Sequence, residues 1–419
     1  MKLLIRGGRV IDPASGRDEI GDVFVSDGRI SGSKGKAERT IDAKGLVVAP
    51  GLIDLAARLR EPGYEYKATL ESEMDAAVAG GVTSLACPPD TDPPLDEPGL
   101  VDMLRRRSKV LARARVYPIG ALTVKLAGER LTEMAELAEA GCVAFSQANA
   151  PLADTQVLWR AMQYAGTFGF PVWLRAEDRW LAHGGVAHDG EVATRLGLPG
   201  IPAFAETIAL GTLLQLVRAT GTRVHICRLS TATGVEMIRA AKNEGLPVSC
   251  DVGIHHVHLS EVDLGYFDAH CRLEPPLRSQ RDREALAAGL ADGTIDCAVS
   301  DHTPVDEDQK QMPFAEAEPG ATGLELLLPL TLKWGAERKL PLAKTLARVT
   351  CDPARILGVQ SGRIDAGARA DLVVFDPAQH WRVVPEALRS QGKNTPFLGY
   401  ELAGRVRATI VAGNVVYEA

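Results

Sequence analysis

The chain has 419 residues and a formal net charge of -7. It is too long for one ordinary domain, and it lacks the basic excess that a phosphate-binding nucleic-acid partner requires. Hydrophobic residues make up 46% and charged residues 24%, as in an ordinary globular protein, and no uncharged apolar run is long enough to span a bilayer. The seven cysteines, Cys87, Cys142, Cys227, Cys250, Cys271, Cys297 and Cys351, are scattered with no CxxC pair. That pattern predicts reduced, buried thiols in a cytoplasmic protein.

From the first residue, MKLLIRGGRVID reads as a strand and not as a signal peptide, because Arg6, Gly7, Gly8 and Arg9 break the apolar stretch at once. Residues 1–50 continue with DVFVSDGRI and RTIDAKGLVVAP, short strands joined by turns. SGSKGKAERT (31–40) and the DPPLDEP run read as solvent loops.

The middle of the chain alternates apolar β-rich runs with amphipathic helical stretches. Eight strands are predicted: Gly51–Arg58, Val82–Cys87, Ala114–Gly120, Gly141–Ser146, Phe170–Ala176, Arg223–Cys227, Leu246–Val252 and Thr294–Ser300. Helical patterns lie between them at Leu70–Ala79, Glu129–Ala140, Thr207–Thr220 and Ala232–Asn243, and many of these end at glycine, the usual stop. Eight strand–helix units over residues 51–359 predict an α/β fold, a (β/α)8 TIM-type barrel. Residues 360–419 return to strand and turn patterns, GRIDAGARADLVVFDP and RVRATIVAGNVVYEA. All-β segments at 1–50 and 360–419 predict one small β-sandwich domain built from both chain termini.

The opening LIRGGRVID, the linker VVAPGLIDL, the late SGRIDAGARADLVVFD and the final IVAGNVVY resemble composite-domain amidohydrolases. Within that superfamily the chain resembles dihydroorotases of the long type. The resemblance rests on LREPGYEYKATLESEMDAAVAGGVTSLACPPDTDPPLD, GLPGIPAFAET, HICRLSTATGVEMIRAAKNEG, EPPLRSQRDREAL, SDHTP and TCDPARILG. These stretches cover nearly the whole chain and keep their order and spacing.

The resemblance implies a zinc centre in the barrel mouth. In active relatives its ligands are an HxH pair after the first strand, a carboxylate or carbamylated lysine after the fourth, one histidine each after the fifth and sixth, and an aspartate after the eighth. Neutral imidazole and carboxylate suit zinc, which must acidify a water for attack on a cyclic amide. In this chain the HxH positions hold Ala56 and Arg58. The fourth-strand segment reads Phe145-Ser146-Gln147-Ala148-Asn149, and the fifth and sixth positions hold Arg175 and Arg228. Asp301 alone remains. Alanine has no donor atom, and a guanidinium stays protonated and repels a cation. The expectation is therefore a mouth without zinc or any other cofactor.

Other positions are mixed. Arg60 matches the arginine that contacts the substrate carboxylate in active relatives, whereas Asp90 and Glu274 stand where the family has asparagines. Thr303-Pro304-Val305 replaces a family APH stretch. His225, His302 and the trio His255, His256 and His258 read as packing and hydrogen-bonding residues, although such a trio can also attract a metal. Three guanidiniums at Arg58, Arg175 and Arg228 facing Asp301 need counter-charge, from Asp90, Glu274 or another acid, or from a small anion bound by Arg58, Arg60, Arg175 and Arg228.

By its substitutions the chain resembles the inactive dihydroorotase homologues of some bacteria. That resemblance implies a non-catalytic subunit that partners the catalytic subunit of aspartate transcarbamoylase, within a homo- or hetero-oligomer, in pyrimidine biosynthesis. Asp301 is then vestigial. The alternative is an active cyclic amidohydrolase converting dihydroorotate to N-carbamoyl-L-aspartate with an atypical site.

Overall fold

The computed structural model describes residues 2–32 and 35–419. Met1, and Ser33 and Lys34 of the SGSKGKAERT loop, lie outside the described residues. Each of the eight runs expected as barrel strands overlaps one: Leu52–Asp54, Val82–Cys87, Arg115–Ala121, Ala144–Ser146, Val172–Leu174, Val224–Ile226, Val248–Gly253 and Cys297–Val299, the third and seventh running one residue past the expected end. They pair in chain order, in parallel, as one eight-stranded sheet.

The first and eighth strands close this sheet through a narrow seam. Arg58 N donates to His302 O at 2.9 Å and His302 N donates to Ala56 O at 3.0 Å, forming a parallel bridge between Ala57 and His302. Beneath it the buried Asp54 carboxylate accepts from Ser300 N at 3.0 Å and from the Ser300 hydroxyl. The seam thus carries backbone and side-chain bonds, as buried polar groups in a barrel wall require.

The helices form where capping and periodicity agree. Ala232–Asn243 starts at Thr231, whose hydroxyl accepts from Gly234 N at 3.0 Å, and it buries Val235, Ile238 and Ala241 on one face. Leu70–Ala79 is capped by Thr69 and Ser72. Two boundaries differ from expectation. The third-unit helix begins at Met134, because residues before it are drawn into a bridge between Thr123 and Leu131. The helix expected from Thr207 begins at Ala203, directly after Pro202, which is preset for a helix start.

Strands from the two ends of the chain pair into a mixed eight-stranded sheet, with Leu372–Arg382 bonded to Val47–Pro50 and Glu401–Val411 bonded to Leu372–Arg382. Successive residues alternate faces. Val48, Leu372 and Val374 join a core of their own with Leu3, Ile5, Val23 and Val25, while Val47, Ala49, Val373 and Phe375 join the large barrel core. At the junction Gly81 has φ +82°, and a Cβ there would stand 2.7 Å from Val373 Cγ2, so only glycine fits. Among the described residues no helix is long and apolar enough to cross a membrane.

Candidate functional site at the barrel mouth

Barrel folds place their chemistry on the loops at the C-terminal ends of the strands. Here those ends deliver Arg58, Asp90, Asn149, Arg175, Arg228 and Asp301 from six different strands to one cluster, joined by Glu274 from the long loop after the seventh strand.

Arg58 is the hub. Its Nε donates to Asp90 Oδ2 at 2.7 Å, Nη1 to Thr303 Oγ1 at 3.1 Å and to Asp301 Oδ1 at 3.3 Å, and Nη2 to Asn149 Oδ1 at 3.0 Å. Arg228 reaches the same two acceptors, with Nη1 3.2 Å from Asp301 Oδ1 and Nη2 2.5 Å from Asn149 Oδ1. Arg175 forms a fork with Glu177, at 2.9 and 2.5 Å, and also donates to Glu274 Oε1 at 2.7 Å. Arg60 turns away from the cluster, bonding Pro304 O at 2.8 Å and reaching Glu318, which also takes Lys67.

These ion pairs fall into three neighbouring groups, Arg58 and Arg228 with Asp90 and Asp301, Arg175 with Glu177 and Glu274, and Arg60 and Lys67 with Glu318. Arg58, Arg60, Lys67, Arg175 and Arg228 face Asp90, Glu177, Glu274, Asp301 and Glu318, five cations against five anions. Arg58, Arg228 and Asp301 are each only 5% exposed, so screening by salt is weak and the pairing must be nearly complete. Burial opposes every charge in the group. The arginines nevertheless hold Asp90 and Glu274 below the usual carboxylate range, and the acids raise Arg58 and Arg175 above the ordinary guanidinium value. Arg60, paired only at the edge, is lowered by burial and by Arg58.

The backbone at the mouth is strained. Arg60, Ala148, Arg228 and Asp301 all have φ between 46° and 61°, a left-handed conformation that costs a non-glycine residue energy and that clusters at functional sites. Of the side chains so presented, only Asp301 carries a metal-donor group.

The remaining expected ligand positions are filled by packing groups. Ala56 is buried, and its carbonyl serves the barrel seam. Gln147 swings away from the mouth and bonds Thr123 Oγ1 at 2.8 Å and Leu126 O at 2.9 Å. His302 is structural: Nδ1 accepts from Gly323 N at 3.1 Å, and Nε2 donates to Glu73 Oε2 at 2.5 Å. His256 donates to Pro275 O at 3.0 Å. His255 Nε2 has no hydrogen-bond partner and stands 3.8 Å from Asp301 Oδ2. Burial pushes both His255 and His256 down to about 3, so they are neutral near pH 7.

The donor set at the mouth does not fit a zinc centre, because Asp301 is the one family ligand present and two guanidiniums occupy its Oδ1. Deeper in the barrel His225, Cys227 and Asp251 bring three donor atoms within 4.8 Å of one another. That group could hold a soft cation, but its atoms already have partners. His225 bonds Ser249 Oγ and Asp251 Oδ2, both at 2.8 Å, Asp251 Oδ1 takes Arg228 N at 2.6 Å, and burial raises the Cys227 thiol well above its ordinary value.

Asn149, Glu177, Glu318 and Lys67 complete the cluster, and sequence reading assigned none of them a role. Glu177 had a signal, since it lies two residues from Arg175 in LRAED. Glu318 had none, being 258 residues from Arg60.

Comparison with known proteins agrees with this architecture. The family described as "Dihydro-orotase-like" matches residues 45–233, and "Amidohydrolase family" matches residues 180–416. A "Dihydroorotase-like protein" of Pseudomonas aeruginosa is 44% identical over 423 residues, covering 100% of both chains. A "Dihydroorotase" of Geobacter sp. is 42% identical over 424 residues, again covering 100% of both. Among solved structures, the L-hydantoinase (dihydropyrimidinase) of Arthrobacter aurescens superimposes with a TM-score of 0.88 at 25% identity, over 99% of this chain and 96% of that one. The chain therefore belongs to the dihydroorotase-like branch of the amidohydrolase family.

Proposed function

We propose that this chain is a non-catalytic dihydroorotase-like subunit that has lost the zinc centre and supports the assembly of aspartate transcarbamoylase in pyrimidine biosynthesis, in the cytoplasm. The observation that carries the loss of chemistry is the shared oxygen at the mouth. Asp301 Oδ1 receives both Arg58 and Arg228, so the carboxylate that would bind metal and steer the attacking water is neutralised by guanidinium. A metal-bound hydroxide is the nucleophile the family reaction needs, and the groups here offer no substitute set of base, nucleophile and oxyanion donors. A small anion, the other counter-charge considered for these arginines, would have to displace one of five internal carboxylates.

The partner rests on the family resemblance, since function resides in sites and not in folds. A barrel with a complete core and an altered mouth is suited to a packing role. Co-expression with the aspartate transcarbamoylase of the same organism, followed by size-exclusion chromatography, tests it. Co-elution with an interface above ~1,000 Å² is expected for a stable complex. Separate elution, with the transferase fully active alone, would leave only the loss of catalysis.

The second reading is an active cyclic amide hydrolase with an atypical site. It draws on the relative named dihydroorotase in Geobacter sp. and on the His225, Cys227 and Asp251 group. Turnover of dihydroorotate that scales with protein and is abolished by Asp251→Asn would favour it.

A further inference from the structure

Beside the filled mouth, the loops on the same face of the barrel enclose a second cavity of about 400 Å³, lined by Tyr66, Lys67, His270, Lys310, Lys393 and Asn394, among others. Lys310 lies on the short helix Glu307–Gln311, in the loop after the eighth strand, and is 8% exposed. Its Nζ donates to Ala269 O at 3.0 Å and to Arg272 O at 3.3 Å. Among the described residues no carboxylate lies within ion-pair distance of it. Lys67, by contrast, is matched by Glu318.

A buried ammonium held by carbonyls alone is an unusual arrangement, because desolvation of the charge is not repaid by a counter-ion. Burial, and then the nearby Arg272, pushes the Lys310 amine down to about 7, against upward pulls from Glu318, Cys271 and Asp268. Lys67, Lys393, His270, Asp306 and Glu307 also face the cavity. Burial therefore favours the neutral amine here far more than at an exposed lysine. Two N–H groups on the two carbonyls leave the lone pair as the remaining valence, and desolvated lysines of this kind are nucleophiles toward carbonyl carbon.

We propose that Lys310 is an amine site for small carbonyl compounds, with an aldehyde or ketone that enters this cavity forming an imine at Nζ. The lone pair adds to the carbonyl carbon, the C=O π pair moves onto oxygen, and one N–H proton passes from the nitrogen to that oxygen to give the hydroxyl. The carbinolamine then expels water, formed from that hydroxyl and one amine hydrogen, leaving C=N. No oxidant or reductant is needed. Two bonds to main-chain carbonyls orient the free amine and are given up as the imine forms, and the cavity volume admits a molecule of a dozen or so heavy atoms. The inference is independent of whether the mouth binds zinc.

The test is site-resolved labelling of the intact protein at pH 7 with substoichiometric pyridoxal or glycolaldehyde, each trapped with borohydride and mapped by peptide mass spectrometry. Lys310 is expected to lead the exposed Lys36, Lys109 and Lys339 by at least about tenfold with one or both probes, because an ordinary lysine is almost wholly protonated at this pH. Its labelling is expected to rise to half-maximum near pH 7, far below that of the surface lysines. Labelling spread over surface lysines, with Lys310 unmodified or no faster than they are with either probe, would overturn the proposal.

Discussion

Arg228 Nη1 stands 3.2 Å from Asp301 Oδ1, at the point where a metal-binding aspartate would meet its cation. Arg58 Nη1 takes the same oxygen at 3.3 Å. Two fixed positive charges thus occupy the electrostatic place of a metal while offering donors where a metal needs acceptors. The same two residues hold the mouth together by charge and, under the proposed function, take the place of metal ligands there.

Removing one hub is expected to be costly. Arg58→Met leaves Asp90 and Asp301 without their shared partner inside a nearly dry cluster. Breaking a buried pair from one side typically costs about 3–5 kcal/mol, and a clear drop in thermal midpoint is expected. A loss comparable to that of the exposed pair Arg218 with Glu244 would show that the cluster is not a structural element.

Restoring the histidine pair alone is expected to fail. Ala56→His with Arg58→His returns two ligands, but Arg175 and Arg228 still face the site and Asp90 loses Arg58. No dihydroorotate turnover is expected from the purified double variant in the presence of zinc, since the remaining ligands and the groups that orient them are absent. Measurable turnover would mean that the arginines move aside more easily than their bonds suggest.

The acid side of the stability profile has a defined sign. Buried neutral His255 and His256 sit near 3 in the folded chain, against 6.5 for the free side chain. Between those values the unfolded chain binds more protons, so stability falls as pH drops from 6.5 toward 3. Asp90 and Glu274, held low by arginine, add stability that is present above the ordinary carboxylate range and is lost below it. His256→Gln can keep the donor to Pro275 O and is expected to flatten the upper part of this decline, as urea midpoints measured at successive pH values would reveal. An unchanged slope would contradict the neutral, buried state of His256.

His302 is expected to matter for folding. It joins the eighth strand to Glu73, which also binds Ser390 Oγ at 2.7 Å. His302→Ala leaves a fully buried carboxylate short of a donor and is expected to destabilise by about 1–3 kcal/mol or more, as for other orphaned buried groups. Thermal melting checks this, and a neutral effect would remove the histidine from the fold's polar framework.

Much of this was legible from one sequence. Helix stops such as Gly141 and Gly221, and apolar runs such as VTSLAC, depend on local physics, so the eight strands could be read in order. Alanine and arginine at ligand positions are statements about side-chain chemistry and need no coordinates. The closing of the charge network is different. Arg58 and Asp301 are 243 residues apart, and Arg60 and Glu318 are 258 apart, so which acid answers which arginine depends on the tertiary fold. The double role of Asn149, whose one oxygen serves two guanidiniums, leaves no trace in composition or periodicity. Likewise, each end of the chain reads as short strands, but the pairing of Leu372–Arg382 with Val47–Pro50 is a long-range register that no turn signal specifies.

The most direct test of the central claim is the zinc content of the untagged protein, measured by elemental analysis after dialysis against a chelator. The account expects far less than one zinc per chain, with the melting temperature unchanged by the chelator, because Arg58 and Arg228 are already matched by Asp90 and Asp301. Close to one zinc per chain, retained through dialysis and lost together with thermal stability, would contradict it.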